Sequence, residues 1–143
     1  MVPADHSVWR TVRDDENWLI WSEELQRPLL RIRGPGVNFD PDLSTTWKEH
    51  MEDIHGLAAA FLIELPPGRS LVYEARVEDL LGLGLEHSHT PTNPKPPGCA
   101  HLFFFRPSTV TTKPEKYRLE LDIAMRMTLV SGIIHSMSRP PGA

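Results

Sequence analysis

The clearest strand pattern in the chain is Ser70-Leu71-Val72-Tyr73-Glu74-Ala75-Arg76-Val77. Apolar residues occupy every second position from Leu71 to Val77, and Glu74 and Arg76 lie between them. Successive side chains of a strand point to opposite faces, so this period predicts a strand with one buried face. Residues 78–82 begin with two acidic residues and end with glycine, which predicts one or two helical turns directly after the strand.

Short apolar segments elsewhere predict further strands. Residues 8–12 and 17–22 are rich in Trp, Val and Ile, and they flank polar residues 13–16 as the two arms of a hairpin flank its turn. Residues 29–33 predict a third strand, which the following Gly-Pro-Gly ends. A proline-rich loop at 87–98 leads to a last apolar strand at 101–106. The N-terminal part is therefore expected to form a small antiparallel sheet.

A central helix is expected to begin at about Ser44, which can cap a helix N-terminus. Apolar residues around it have the 4-4-3-4 spacing of one helical face: Leu43, Trp47, Met51, Ile54 and Ala58. The spacing continues to Leu65, but Gly56 costs about 1 kcal/mol inside a helix. Whether the helix ends near Gly56 or continues is left open by the sequence.

The C-terminal segment 117–130 fits two structures. Thr112-Lys113-Pro114-Glu115 matches a capping box, and good helix formers follow it, which predicts a helix. Residues 119–129 also have the period of a strand. Because capping and propensity agree and β-branched residues are few, we favour an amphipathic helix. The fold class expected is α+β, with one domain over 1–143 and a mobile tail from about residue 135.

Composition limits the classes of function. The chain of 143 residues is 40% hydrophobic and 24% charged, so it is expected to fold around one core. Its single cysteine excludes an intrachain disulfide, and no apolar run is long enough to span a membrane. We expect a cytoplasmic protein. The net charge of −4 would repel a phosphate backbone, which disfavours nucleic-acid binding.

Histidines and the one cysteine supply a candidate metal site. His87 and His89 are two residues apart, as are Cys99 and His101, and such pairs on an extended backbone point the same way. Zinc is the metal that this donor set suits. The alternative is a solvent-exposed polar loop in which Cys99 is a small, half-buried apolar residue. We expect no cofactor, with zinc as the alternative.

His50, His55 and His101 are the candidate catalytic residues. On a helix, His50 and His55 would lie on opposite flanks of the apolar face, so only one of them would serve a given site. Paired with a carboxylate or a loop histidine, it would form the general acid–base pair of a metal-independent ribonuclease or similar hydrolase. Motifs of nucleotide-binding loops, serine hydrolases and zinc proteases are absent from the sequence.

Three of the four tryptophans, Trp9, Trp18 and Trp21, lie in the predicted N-terminal sheet. Trp18 and Trp21 would point to opposite faces of one strand, so at least one face carries an aromatic side chain that the core does not need. Exposed aromatic residues often anchor partner proteins. These three are therefore the candidate partner-binding residues; the alternative is that helices cover both faces.

Scattered short pieces of the chain resemble small bacterial proteins of the accessory or defence-neighbourhood type. The pieces are Trp9-Arg10, Phe39 ahead of Leu43-Ser44, residues 80–85, and Asn93-Pro94 leading to Ala100-His101. The resemblance implies an accessory component encoded beside a larger bacterial system, and it supplies no catalytic residues. We expect an interaction module with a protein partner, or one that self-associates. A small histidine-dependent hydrolase or nuclease and a zinc-bound structural module are the alternatives.

Overall fold

The computed structural model describes residues 2–37, 42–50, 68–91 and 100–136. Their elements in chain order are β1 (Ser7–Arg13), β2 (Leu19–Ser22), β3 (Arg27–Leu30), β4 (Asp42–Trp47), β5 (Arg69–Arg76), α1 (Val77–Leu81), β6 (Glu86–His89), β7 (His101–Phe105), α2 (Lys113–Arg126) and β8 (Thr128–Ser131). Six of the strands form an antiparallel sheet in the order β6-β7-β4-β1-β5-β8, and β2 pairs with β3 separately. The α+β fold class is thereby confirmed.

The core lies between one face of the large sheet and the layer made by α1, α2 and the β2–β3 hairpin. The sheet contributes Val8, Val12, Leu43, Leu71, Tyr73, Leu102 and Phe104 to it. The covering layer contributes Leu19, Leu30, Leu80, Ile123 and Met127, all essentially inaccessible to solvent. Full burial of each such aliphatic or aromatic side chain contributes about 1.5–3 kcal/mol, so this contiguous cluster is the main source of stability.

The strand predicted at 70–77 is confirmed as β5, which pairs with β1 along most of its length. The helical turns predicted after it are confirmed as α1, with Gly82 at its C-terminal end. The strand predicted at 101–106 is confirmed as β7. In β7 the buried side chains alternate with more exposed ones, whereas in β5 Val72 is buried as well as Leu71 and Tyr73 on either side of it.

The helical interpretation of the C-terminal segment is also confirmed. Thr112 Oγ1 accepts a hydrogen bond from Glu115 N at 3.3 Å, and Glu115 Oε1 accepts one from Thr112 N at 3.2 Å. This is the predicted capping box, and it satisfies backbone donors that a helix start leaves free. The helix ends at Arg126, with Met127 as its C-cap, and residues 128–131 form the additional strand β8.

The predicted helix start at Ser44 is wrong, because Ser44 lies within β4. Leu43 and Thr45 are buried while Ser44 is exposed, which is the alternation of a strand. The run Ser44-Thr45-Thr46 includes two β-branched residues that suit a pleated surface between two neighbouring strands. Residues 48–50 are helical. Most of the predicted central helix, from 51 to 67, lies outside the described residues.

Three further sequence predictions are corrected. Residues 8–12 and 17–22 do not form a hairpin with each other, because β1 pairs with β4 and β5, whereas β2 pairs with β3. The third strand begins at Arg27 instead of residue 29. Residues 87–89 are not part of a loop but belong to β6, whose four residues all pair with β7. Long-range pairing, which no local pattern reveals, decided the partners of β1 and the formation of β6.

Candidate functional site

Four aromatic side chains meet where β4 passes into the helical turn at 48–50; we call them the histidine–tryptophan cluster: His6, Trp47, His50 and His89. The His50 ring stacks on the Trp47 indole with centroids 4.7 Å apart. His89 meets Trp47 edge-on at 5.2 Å and His50 at 4.6 Å. The cluster thus places two imidazoles in direct contact with each other.

Trp47 also orients the third histidine of the cluster. Its Nε1 donates a hydrogen bond to His6 Nδ1 at 3.0 Å. Because Nδ1 accepts this bond, the neutral His6 ring carries its proton on Nε2. His6 therefore presents a donor, not an acceptor, on its far side.

Contacts from the neighbouring turn hold the cluster in place. The backbone N–H of Ser7 donates to both carboxylate oxygens of Glu49, at 2.7 and 3.2 Å. Lys48 lies 3.6 Å from the Glu74 carboxylate, which also accepts a bond from Trp9 Nε1 at 2.8 Å. These contacts tie residues 48–50 to β1 and β5, so His50 is held beside β6. Two imidazoles so placed can act as a proton donor and a proton acceptor toward a ligand.

The predicted catalytic and metal-binding histidines divide between the two faces of the sheet. His89 pairs with Leu102, so His101, the residue before Leu102, points to the opposite face. His87 shares a face with His89 and stacks on Phe104 at 6.0 Å. Burial lowers the pKa of His101 below its usual value. The structure thus brings His50 and His89 together and separates His101 from them.

Two predicted site residues, His55 and Cys99, lie outside the described residues. Within ranges 2–37, 42–50, 68–91 and 100–136, no three His, Cys, Asp or Glu side chains form a group that could hold a metal ion. The zinc site drawn from His87, His89, Cys99 and His101 stays a prediction. Across the same ranges, no helix is both long and apolar enough to cross a membrane.

Two of the three predicted partner-binding tryptophans are largely buried. Trp9 is 5% exposed, and Trp18 is 9% exposed. The Trp18 ring lies between two guanidinium groups, 4.8 Å from Arg69 and 6.0 Å from Arg10. Trp21 is half-buried. Trp9 and Trp18 have mainly packing roles in the structure. The role of the three tryptophans as partner contacts stays a prediction.

An exposed apolar surface occurs instead at the C-terminal edge of the sheet; we call Leu129, Val130 and Ile133 the β8 surface. Their exposed fractions are 37%, 47% and 72%. This surface was not predicted from the sequence, although the β-branched residues Thr128 and Val130 just after a helix end are a weak strand signal. Within residues 100–136, these three are the large apolar side chains that are exposed to solvent.

The C-terminal part of the β8 surface is held in place at two points. Gly132 has a φ of +95°, and a Cβ there would clash with the Ser70 carbonyl oxygen. Beyond it, the backbone N–H groups of His135 and Ser136 donate to the Asp14 carboxylate at 2.7 and 3.1 Å. Ile134 packs against the core between these two anchors. Ile133 is therefore held pointing outward.

Comparison with known proteins adds no relative. No family model matches the chain, and no curated protein or solved structure is significantly similar to it. The resemblance to small bacterial accessory proteins therefore stays a prediction. Function has to be inferred from the geometry of the chain itself.

Proposed function

We propose that this chain is a cytoplasmic protein-interaction module without catalysis of its own, which serves as an accessory component of a larger bacterial assembly. The observation that carries the proposal is the β8 surface. Large aliphatic side chains that stay exposed together on a folded domain commonly mark a contact with another protein. Leu129, Val130 and Ile133 lie close together in the chain, and the segment that carries Ile133 is held by Gly132 on one side and by Asp14 on the other.

The backbone of β8 supports the same proposal. β8 is an edge strand that pairs with β5 on one side. Natural edge strands are usually protected by charged residues or proline, and Thr128–Ser131 contains neither. The other edge strand, β6, carries Glu86 and two histidines. An extended partner segment would therefore pair more favourably with β8 than with β6.

The local geometry defines the kind of segment that fits. Leu129 pairs with Tyr73 and Ser131 with Val72, so Val130 is an extra residue in a bulge. The bulge limits the length over which a partner strand can pair and turns Val130 toward solvent. The partner we propose is a short, extended, apolar segment of another protein, bound by a few backbone hydrogen bonds and by contacts with Val130 and Ile133.

The test compares two double variants. Val130→Glu with Ile133→Glu places two charges on the β8 surface. Ile20→Glu with Leu25→Glu is the matched control, since these aliphatic residues are 43% and 37% exposed elsewhere on the molecule. The tagged chain would be copurified from its bacterial host, with sedimentation of the pure protein measuring self-association.

The proposal expects a defined partner that the wild type and the control retain and the β8 variant loses. A second copy of this chain as that partner would be detected as a dimer in sedimentation. The absence of both partner and self-association would overturn the proposal. Equal loss of the partner in the control would overturn the assignment to β8.

A second candidate function rests on the His50–His89 contact. Two imidazoles with ring centroids 4.6 Å apart are close enough to contact the same small ligand, which supports a histidine-dependent hydrolase or nuclease. The test is cleavage of a single-stranded RNA by the pure protein. If the candidate is right, His50→Gln and His89→Gln each lower the rate about 10²–10⁴-fold. His135→Gln, an exposed histidine outside the cluster, would leave it unchanged. Turnover by the wild type would contradict the non-catalytic proposal.

The third candidate, a zinc-bound structural module, makes a separate prediction. A chain that depends on zinc for its fold should lose stability when a chelator removes the metal. Elemental analysis of the untagged protein, with melting curves in the presence and absence of chelator, measures this directly. An unchanged melt with no bound zinc would contradict it.

A further inference from the structure

An open cleft lies between the loop that follows β1 and the turn that follows β3, on a part of the molecule not used by the β8 surface. Its volume is about 690 Å³. The charged residues that line it are Arg13, Asp15, Glu16, Arg31 and Arg33. Three arginines are thus gathered at one opening in a chain whose net charge is −4.

The turn that forms one wall is rigidly built. The Arg10 guanidinium donates to the carbonyl oxygens of Gly36 at 2.7 Å, Pro35 at 2.7 Å and Ser44 at 2.9 Å. The Arg31 backbone N–H donates to the Trp18 carbonyl oxygen at 2.8 Å. These bonds join the turn to the sheet and to the opposite wall, so the cleft does not depend on a mobile loop.

The arginine side chains are placed to differing degrees. Arg31 Nε donates to the Glu16 carbonyl oxygen at 2.7 Å, which fixes the side chain; among the described residues its two terminal nitrogens make no hydrogen bond. Arg33 has a φ of +60°, and its guanidinium lies 3.8 Å from the centroid of the Tyr117 ring. Arg13 is exposed at the mouth. Arg13 and Arg31 are therefore the cations available to a ligand.

Several arginines lie close together at this end of the sheet. Within the described ranges, none of Arg13, Arg31, Arg33 and Arg69 forms an ion pair with a carboxylate. Burial and the nearby Arg69 lower the pKa of Arg10 to about 10, and burial and Arg13 lower that of Arg69. Guanidinium groups this close repel one another, and a bound anion would offset that repulsion.

We propose that this cleft binds a small phosphate-bearing ligand through the guanidinium groups of Arg13 and Arg31. The planar fork of arginine donates two parallel hydrogen bonds to phosphate oxygens. Asp15 and Glu16 at the same opening would repel the long run of phosphates in a nucleic acid, so a compact ligand fits better. They can accept hydrogen bonds from hydroxyl or amino groups of such a ligand.

The test is calorimetric titration of the full chain with inorganic phosphate at constant ionic strength, with chloride as the balancing anion. Arg13→Gln and Arg31→Gln are each expected to weaken binding about tenfold or more, since each removes charge-assisted hydrogen bonds. Arg126→Gln is the control, because that side chain bonds to Asp122 of its own helix, outside the cleft. Acetate, titrated in parallel, tests whether a carboxylate is an equal ligand.

Arg31 also anchors the loop through Glu16, so a second variant at this position is needed. Arg31→Lys keeps the positive charge but loses the planar guanidinium group. It should bind phosphate more weakly than the wild type and more tightly than Arg31→Gln. Melting curves show whether each variant is folded. No saturable binding by the wild type at up to about 10 mM phosphate would overturn the proposal. Equal weakening in Arg126→Gln, or tighter binding of acetate than of phosphate, would overturn it as well.

Discussion

Gly36 lies where two other segments of backbone pass close to it. A Cβ at this position would lie 2.6 Å from Arg31 N and 2.6 Å from Trp18 O, and neither backbone atom can move aside freely. Gly36→Ala is therefore expected to lower the free energy of unfolding by about 1–3 kcal/mol. Gly34→Ala is the control, because its nearest neighbour would be 3.4 Å away. Equal losses in urea unfolding would contradict the steric explanation.

Glu120 is a carboxylate inside the apolar face of α2. It is 8% exposed, and its Oε2 has no hydrogen-bond partner in the described structure. Burial raises the pKa of Glu120 above its usual value, although the backbone N–H of Arg33 and the charges of Arg33 and Lys116 oppose the shift. The folded state therefore holds this proton to a higher pH than the unfolded state does.

A change in stability with pH follows from that shift. Between the ordinary pKa and the raised pKa the folded state binds more protons, so stability falls as the pH rises through this window. Glu120→Gln should remove the fall and stabilise the protein by about 1 kcal/mol at pH 7. Urea unfolding at several pH values from 4 to 8 measures this, with the exposed Glu23→Gln as control. A variant that keeps the wild-type pH profile would contradict the assignment.

At the scale of the element, α2 depends on its capping box. Thr112→Ala removes the oxygen that accepts from Glu115 N, and it should cost about 1 kcal/mol of stability. Thr112→Ser keeps the acceptor and should recover most of the loss. Thr109→Ala, an exposed threonine before the helix, should have little effect. If Thr109→Ala costs as much as Thr112→Ala in thermal unfolding, the cap is not the cause.

The contrast between α2 and β4 shows when an element can be predicted from its sequence. In α2, the cap, the helix formers and the buried face all favour a helix, so local preference and tertiary packing favour the same structure. In β4, Ser44 has the chemistry of a helix cap, but Thr45 donates its hydroxyl to the Leu102 carbonyl oxygen at 2.6 Å and lies between two strands. A neighbouring strand overrode the local helix signal there.

At the scale of the whole molecule, Asp14 joins the end of β1 to a segment more than 120 residues later. Partial burial raises the pKa of Asp14, but the hydrogen bonds from Ser136 and His135 outweigh it and hold the pKa below its ordinary value. Such a group stabilises the fold at pH above the ordinary value, and the contribution is lost as the pH falls through the lowered pKa. The contribution of Asp14 to holding the C-terminal segment should therefore be lost only at a pH below the ordinary pKa of an aspartate.

Asp14→Asn should weaken this connection at neutral pH, because it replaces a charged acceptor with a neutral one. Hydrogen exchange of the His135 and Ser136 amides should accelerate several-fold, while amides of β1 and β5 remain protected. Asp5→Asn, an exposed change near the N-terminus, is the control. Since Ile133 is held by the same segment, partner binding at the β8 surface should weaken in parallel. Unchanged exchange at both amides would contradict the role of Asp14.

The candidate sites show the same division between local and long-range information. The sequence marked His50 and His89 as separate candidates, 39 positions apart. Their contact exists because β6, β7 and β4 are neighbours in the sheet. The arginine cleft was not predicted, because Arg13 at the end of β1 and Arg31 just after β3 are distant in the chain, and only the fold places both at one opening.

By itself, the sequence determined the α+β class, strands β5 and β7, the short helix α1 and the capped helix α2. Each of these follows from a period or a cap within about 15 residues, and local interactions act regardless of the remaining chain. The tertiary structure alone decided the pairing of β1, the strand at Ser44, the outward-facing β8 surface and the meeting of the histidines. Those features depend on which distant segments lie side by side, and the pairing energy of strands exceeds the small local preferences that opposed it.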